Sequence, residues 1–91
     1  MNKARRKLIK NIITDTEKII NGEHGNIDNL AERLEDVLAD EQCAFDCMPE
    51  NLQYSMRGEE SQEAIDLMEE AIEKFDEENL EEVVDLLSYI Y

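Results

Sequence analysis

Two cysteines, one histidine and two pairs of carboxylates are the side chains whose type and spacing could do chemistry. Cys43 and Cys47 stand four apart, so on a helix they share a face. A zinc site needs four ligands, usually in pairs at tight-turn spacing. The remaining soft ligand, His24, sits in the distant segment "NGEHGN". Both cysteines are therefore expected as buried, reduced packing residues. His24 is expected to be an exposed loop residue, because a general base needs a nucleophile and an orienting group and no such constellation accompanies it. "ESQE" sets Glu60 and Glu63, and "EVVD" sets Glu82 and Asp85, at i, i+3. Carboxylate pairs of this kind can hold magnesium, which takes carboxylate oxygens and waters.

Helices must position all of these groups. Leu8, Ile9, Ile12, Ile13, Thr16, Ile19 and Ile20 recur at three- and four-residue steps and predict a helix from about Lys3 to Ile20. "NGEHGN" ends it, with Gly22 as a left-handed cap. A second stripe, Ile27, Leu30, Ala31, Leu34, Val37 and Leu38, begins near Asn26 or Asp28 and continues weakly through Ala44, Phe45, Cys47 and Met48. Pro49 stops that helix, because it lacks an N–H and disfavours helical geometry at Met48. "ENLQYS" allows one short turn and Gly58 a bend, and Met48, Leu52 and Tyr54 are expected to close the end of the core. The third stripe, starting near Glu59, is Ala64, Ile65, Met68, Ala71, Ile72 and Phe75; the last is Leu80, Val83, Val84, Leu87 and Ile90. The five-residue step from Phe75 to Leu80 fits no helical spacing and predicts a break at "DEEN", with Asn79 and Glu82 as a cap. No stretch alternates as a strand would. The expectation is a single all-α domain over residues 1–91: an antiparallel hairpin, or a small three- or four-helix bundle, turning at Pro49–Gly58.

Charge narrows the function. The 91 residues carry 24 acids and 9 bases, a net of −15. Lys3, Arg5, Arg6, Lys7 and Lys10 all fall in the first ten residues, which hold no acid; the other 81 hold 24 acids against 4 bases, a net of −20. Such a body repels nucleic acid and anionic membrane and attracts a basic protein surface. The basic start is expected to balance the acidic body by pairing with the last helix. No run approaches the roughly 18 apolar residues of a membrane span, and the short apolar run after the basic start lacks a cleavage site. The expected location is the cytosol. Absence of tryptophan and only five aromatic residues argue against a stacking platform for bases. Leu86, Tyr89, Ile90 and Tyr91 form an apolar C-terminus that suits either core or contact surface.

The segment "DEQCAFDCMPENLQYSMRGEESQEAIDLMEEAI" (40–72) resembles short, acidic helical proteins of phages and prophages of Gram-positive bacteria. Those proteins open with an "NKxRRK"-like start, matched by Asn2 to Lys7. They carry a "DEEQxAxDNMPExLQxSxRGE"-like turn and end in a Glu-rich amphipathic helix. The turn is matched by Asp40, Glu41, Gln42, Ala44, Asp46, Met48, Pro49, Glu50, Leu52, Gln53, Ser55, Arg57, Gly58 and Glu59. The glycine-containing "NGEHGNID" departs from the pattern. The resemblance implies a hairpin turning at Pro49 and a phage origin, and no chemistry. Separately, "LEEVVDLLSYI" is similar to the metal helix of all-α nucleotide pyrophosphohydrolases of the MazG type. That likeness implies Mg²⁺ held by Glu60, Glu63, Glu82 and Asp85 for attack of water on a nucleoside triphosphate. A chain with 24 acids also produces such spacings by chance.

The leading expectation is a non-enzymatic interaction protein without a cofactor that binds a basic protein surface through its acidic helices. Its sharper form is an inhibitor imitating nucleic-acid charge toward a host nucleic-acid-binding or defence protein. Glu59, Glu63, Asp66, Glu69, Glu70, Glu73, Glu77, Glu78 and Glu81 are the expected contact residues. The alternatives are the pyrophosphohydrolase, or a self-assembling bundle, possible as a homodimer, in which Ile65, Met68, Ile72 and Phe75 meet a symmetry mate.

Overall fold

The computed structural model describes residues 1–90; Tyr91, assigned above to the aromatic C-terminus, lies outside the described residues. These residues form α1 (Lys3–Ile20), α2 (Ile27–Asp46), α3 (Glu50–Gln53), α4 (Met56–Asp76) and α5 (Leu80–Ser88), with no strand among them. The protein is all-α. α1 packs on α2 and α5, and α4 packs on the same two helices. The four long helices thus close a ring of neighbours. Short connections make successive helices antiparallel. The result is an up-down bundle of 46 × 21 × 18 Å, with the one-turn α3 filling the corner between α2 and α4. Of the expected architectures, the bundle holds and the simple hairpin does not. No described helix is long and apolar enough to cross a membrane.

Local chemistry sets each boundary. The Asn2 side chain accepts from the Arg5 N–H at 2.8 Å to start α1, and Asn26 does the same for Asn29 at 3.2 Å to start α2. α1 ends in a Schellman turn: Glu23 N–H donates to Lys18 O, Gly22 N–H donates to Ile19 O, and Gly22 takes φ +94°. The same turn ends α4. Asn79 N–H donates to Lys74 O, Glu78 N–H donates to Phe75 O, and the left-handed position is filled by Glu78 at φ +59°. Helix α4 therefore breaks at "DEEN" as the stripe spacing predicts. Asn79 supplies no side-chain cap; its amide donates to Glu82 Oε2 at 3.4 Å instead.

Ile9, Ile12, Leu34, Ile65, Met68, Val83 and Leu87 are fully enclosed, with Ile13, Leu30, Val37, Ala64, Ala71 and Phe75 around them. Burial of each large aliphatic contributes about 1.5–3 kcal/mol, and the four stripes meet one another within a single chain. Of the stripe Ile65, Met68, Ile72 and Phe75, expected in one alternative to meet a symmetry mate, Ile65, Met68 and Phe75 are buried within the chain and Ile72 is half-buried against the core. Leu8 and Ile20 fall on the outer edge of the α1 stripe and are exposed.

The corner departs furthest from expectation. Leu52 and Tyr54 do not close the core: both are exposed, Tyr54 by 78%. Helix α4 starts at Met56, not Glu59, and Gly58 lies inside its first turn, buried. Gly58 makes no bend. A Cβ there would collide with the Gln53 carbonyl and its neighbouring backbone atoms, so glycine lets α3 lie against α4. Gln53 completes the corner by donating from Nε2 to Phe45 O at 3.0 Å. Alanine at position 58 gains about 1 kcal/mol of helix propensity, but pushing backbone apart costs about 1–3 kcal/mol. Gly58→Ala is expected to lower stability, measured as an earlier urea midpoint with unchanged m-value; a later midpoint would remove the close-approach account.

Candidate functional site

Helix α4 turns Gly58, Ser61, Ala64, Ile65, Met68, Ala71 and Phe75 inward. The 3.6-residue period then leaves Glu59, Glu63, Asp66, Glu69, Glu70 and Glu73 exposed, and Glu77 and Glu78 in the following turn and Glu81 at the start of α5 are exposed as well. Every expected contact residue therefore lies on the surface. From Glu59 to Asp85 the chain holds 13 acids and one base, Lys74. Lys74 pairs with Glu77 at 3.4 Å. Its pKa is raised, first by the Glu77 charge and hydrogen bond, with Glu82 and Glu70 adding to the effect.

The acids are not equivalent along the bundle. Antiparallel packing brings the start of α1 beside the start of α4, where Arg6 lines the same shallow cleft as Glu60, Glu63, Tyr89 and Ile90. Glu59, Glu60 and Glu63 thus share an end of the bundle with the basic residues of α1. At the opposite end, Glu73, Asp76, Glu77, Glu78, Glu81 and Glu82 surround the α4–α5 turn with Lys74 alone among them.

Glu60 and Glu63 sit with Tyr89 and Ile90, not with Glu82 and Asp85, which lie one to two turns back along α5. The four carboxylates expected from the pyrophosphohydrolase likeness are not brought together. Among the described residues no three His, Cys, Asp or Glu side chains are grouped to hold a metal ion. His24 is exposed in the α1–α2 loop, as expected. Cys43 and Cys47 correct the reading of buried packing residues: both are free and exposed, because the inward side here is carried by the buried Glu41 and the half-buried Ala44 and Phe45, with Met48 half-buried just beyond the helix.

Glu41 is the residue that sequence reasoning missed. It is 1% exposed. Arg5 Nε donates to its Oε1 at 2.8 Å, Ser61 Oγ donates to its Oε2, and the Met1 ammonium lies 3.4 Å from Oε2. The basic start pairs here with α2, rather than with the last helix. Burial pushes the Glu41 carboxyl up, but Ser61, the Met1 charge and Arg5 together outweigh it and hold the pKa below the ordinary 4.5. A signal existed: Arg5, Glu41 and Ser61 each continue an apolar stripe by one helical step (5-9-12-16, 34-37-41, 61-64-65-68).

No family model, curated protein or solved structure matches the chain.

Two outcomes follow from these contacts. Removing one member of a buried charge network costs about 3–5 kcal/mol, so Glu41→Ala is expected to shift the urea midpoint far more than Glu63→Ala on the surface. A depressed carboxyl pKa contributes stability that is complete above pH 4.5 and is lost as pH falls through the folded value. The stability gap between wild type and Glu41→Gln should accordingly narrow below that pH; a gap independent of pH would mean the charge is not what Ser61 and Arg5 stabilise. At the other end, an L-residue in the left-handed region costs about 1–2 kcal/mol relative to glycine. Glu78→Gly is expected to stabilise the protein, read as a higher thermal midpoint.

Proposed function

We propose that this is an interaction protein that binds a basic protein surface through the acidic α4–α5 end of its bundle. The observation that carries the reading is the α4–α5 turn itself. Solubility needs acids somewhere on a surface, but not at these positions. Glu73 and Asp76 lie in the last turn of α4, where the helix dipole disfavours negative charge by about 0.3–1 kcal/mol each. Glu78 occupies a backbone position that favours glycine, and the matching turn after α1 does use glycine. Local rules broken in this way cluster at functional positions. Rigid helices on both sides hold the carboxylates at fixed spacing, which limits the ordering cost of binding.

The partner that fits is a basic groove, and its sharper form is a nucleic-acid-handling or defence protein of a bacterial host, occupied by charge imitation in its cytosol. The resemblance of residues 40–72 to phage and prophage proteins supports that setting. The body, at net −20 over residues 11–91, argues against direct contact with nucleic acid.

The test is capture by the tagged protein from a nuclease-treated Gram-positive lysate, in parallel with a Glu77→Lys, Glu78→Lys, Glu81→Lys triple variant. One dominant basic partner is expected, lost from the variant, released steeply by salt and displaced by added DNA. A partner lost from the variant but indifferent to DNA keeps the interaction and discards the imitation. Capture that is equal for variant and wild type, or of the protein alone, overturns the reading.

A further inference from the structure

We infer that Cys43 and Cys47 form a two-thiolate clamp for a single soft, low-coordinate metal ion of the Cu(I) type. Both thiols are free and exposed, Cys43 on the last turn of α2 and Cys47 at its C-cap. The Cys47 N–H donates to Cys43 O at 3.1 Å, so the turn between them is closed and helical. In that geometry the two Cβ atoms stand about 5–6 Å apart on one face. A disulfide needs them at about 3.5–4.5 Å, so direct oxidation would have to unwind the turn. A bridging ion inserts an additional bond, at about 2.3 Å per thiolate in zinc sites, and spans the gap with the helix intact. Coordination number selects the ion. No third His, Cys, Asp or Glu joins the pair among the described residues, and Asp46 on the same turn is already hydrogen bonded by Gln42 at 3.1 Å. Zinc wants four ligands. Soft thiolates favour Cu(I), and two of them can suffice.

The binding step is a ligand exchange without electron transfer. Cu(I) forms two Cu–S bonds, each thiol loses its proton to solvent, and the pair with its ion carries one negative charge. Two protons are released per ion, so uptake strengthens as pH rises. Pro49, two residues on, fixes the backbone just beyond the clamp, and Cys47 is the C-cap of α2. The loaded pair would thus tie down the last turn before the corner.

The experiment is an anaerobic titration of the full chain with Cu(I) supplied as its bicinchoninate complex, following decolourisation. Wild type is expected to withdraw one ion per chain. The second thiolate acts at an effective concentration of order mM, so Cys43→Ser and Cys47→Ser should each weaken uptake at least about tenfold. Circular dichroism of the same samples checks that helix content is unchanged, as expected for exposed positions. Failure of wild type to withdraw Cu(I), or a single-serine variant that withdraws it as well as wild type, would overturn the inference; the second result would point instead to one thiolate with the Met48 thioether.

Discussion

One buried carboxylate holds the corner end of this bundle together. Glu41 projects from α2 into a space where α1 and α4 also arrive, and its partners come from both: Arg5 from one, Ser61 from the other. An ion placed there alone would cost several kcal/mol of desolvation. The cost is offset only because the carboxylate oxygens are matched, and no buried side-chain polar atom among the described residues lacks a partner. Apolar stripes tell helices which face to bury, but stripes slide. A charge matched to Arg5 on α1 and Ser61 on α4 favours the one level at which both partners face it.

The same network resolves an electrostatic oddity in α1. Its first turn contains no acid, and Lys3, Arg5 and Arg6 stand at the positive end of the helix dipole. Isolated, α1 would be disfavoured at its start. Glu41 brings a negative charge to that end from another helix, so tertiary packing supplies what the local sequence omits. Glu59 and Glu60, at the start of α4, add to the balance because antiparallel packing sets them at the same end. Charge is thereby sorted along the long axis. Bases and acids are mixed at the corner end, and acids dominate the other.

Much of this was legible in the residues, and the parts that were not share a cause. Period and punctuation located α1, α2 and the break at "DEEN", since Gly22, Pro49 and the Phe75–Leu80 step are local signals. Anything set by which helix lies opposite was not legible. Gly58 reads as a bend until Gln53 of α3 is seen pressing on it. Cys43 and Cys47 read as core because they flank apolar residues, but a shift of one residue around a helix is about 100°, enough to turn them outward. Glu60, Glu63, Glu82 and Asp85 have the spacing of a metal site within each helix; the register between α4 and α5, which spacing does not encode, separates them. Glu41 was hidden for the opposite reason, since a carboxylate on an apolar stripe is read as an interruption until its partners on other stripes are counted with it.

The two Schellman turns share a backbone and differ in the residue at the left-handed position. Both end a long helix at a helix–helix turn, with equivalent backbone hydrogen bonds. At the first, the left-handed residue is Gly22, with nothing within 4 Å of where a Cβ would stand; space is no constraint, and conformation alone favours glycine. At the second, the same conformation is forced on Glu78, whose side chain is exposed. The backbone requirement is shared, so the glutamate cannot be explained by the turn. Its charge is disfavoured by the C-terminal dipole of α4 and favoured by the N-terminus of α5, whose first turn also holds Glu81 and Glu82, so the dipoles leave it near balance. What the glutamate adds is one more carboxylate, held by a fixed backbone, among Asp76, Glu77, Glu81 and Glu82. The turn thus carries a strained backbone position and a dense group of carboxylates together, which is the pairing the proposed interaction rests on.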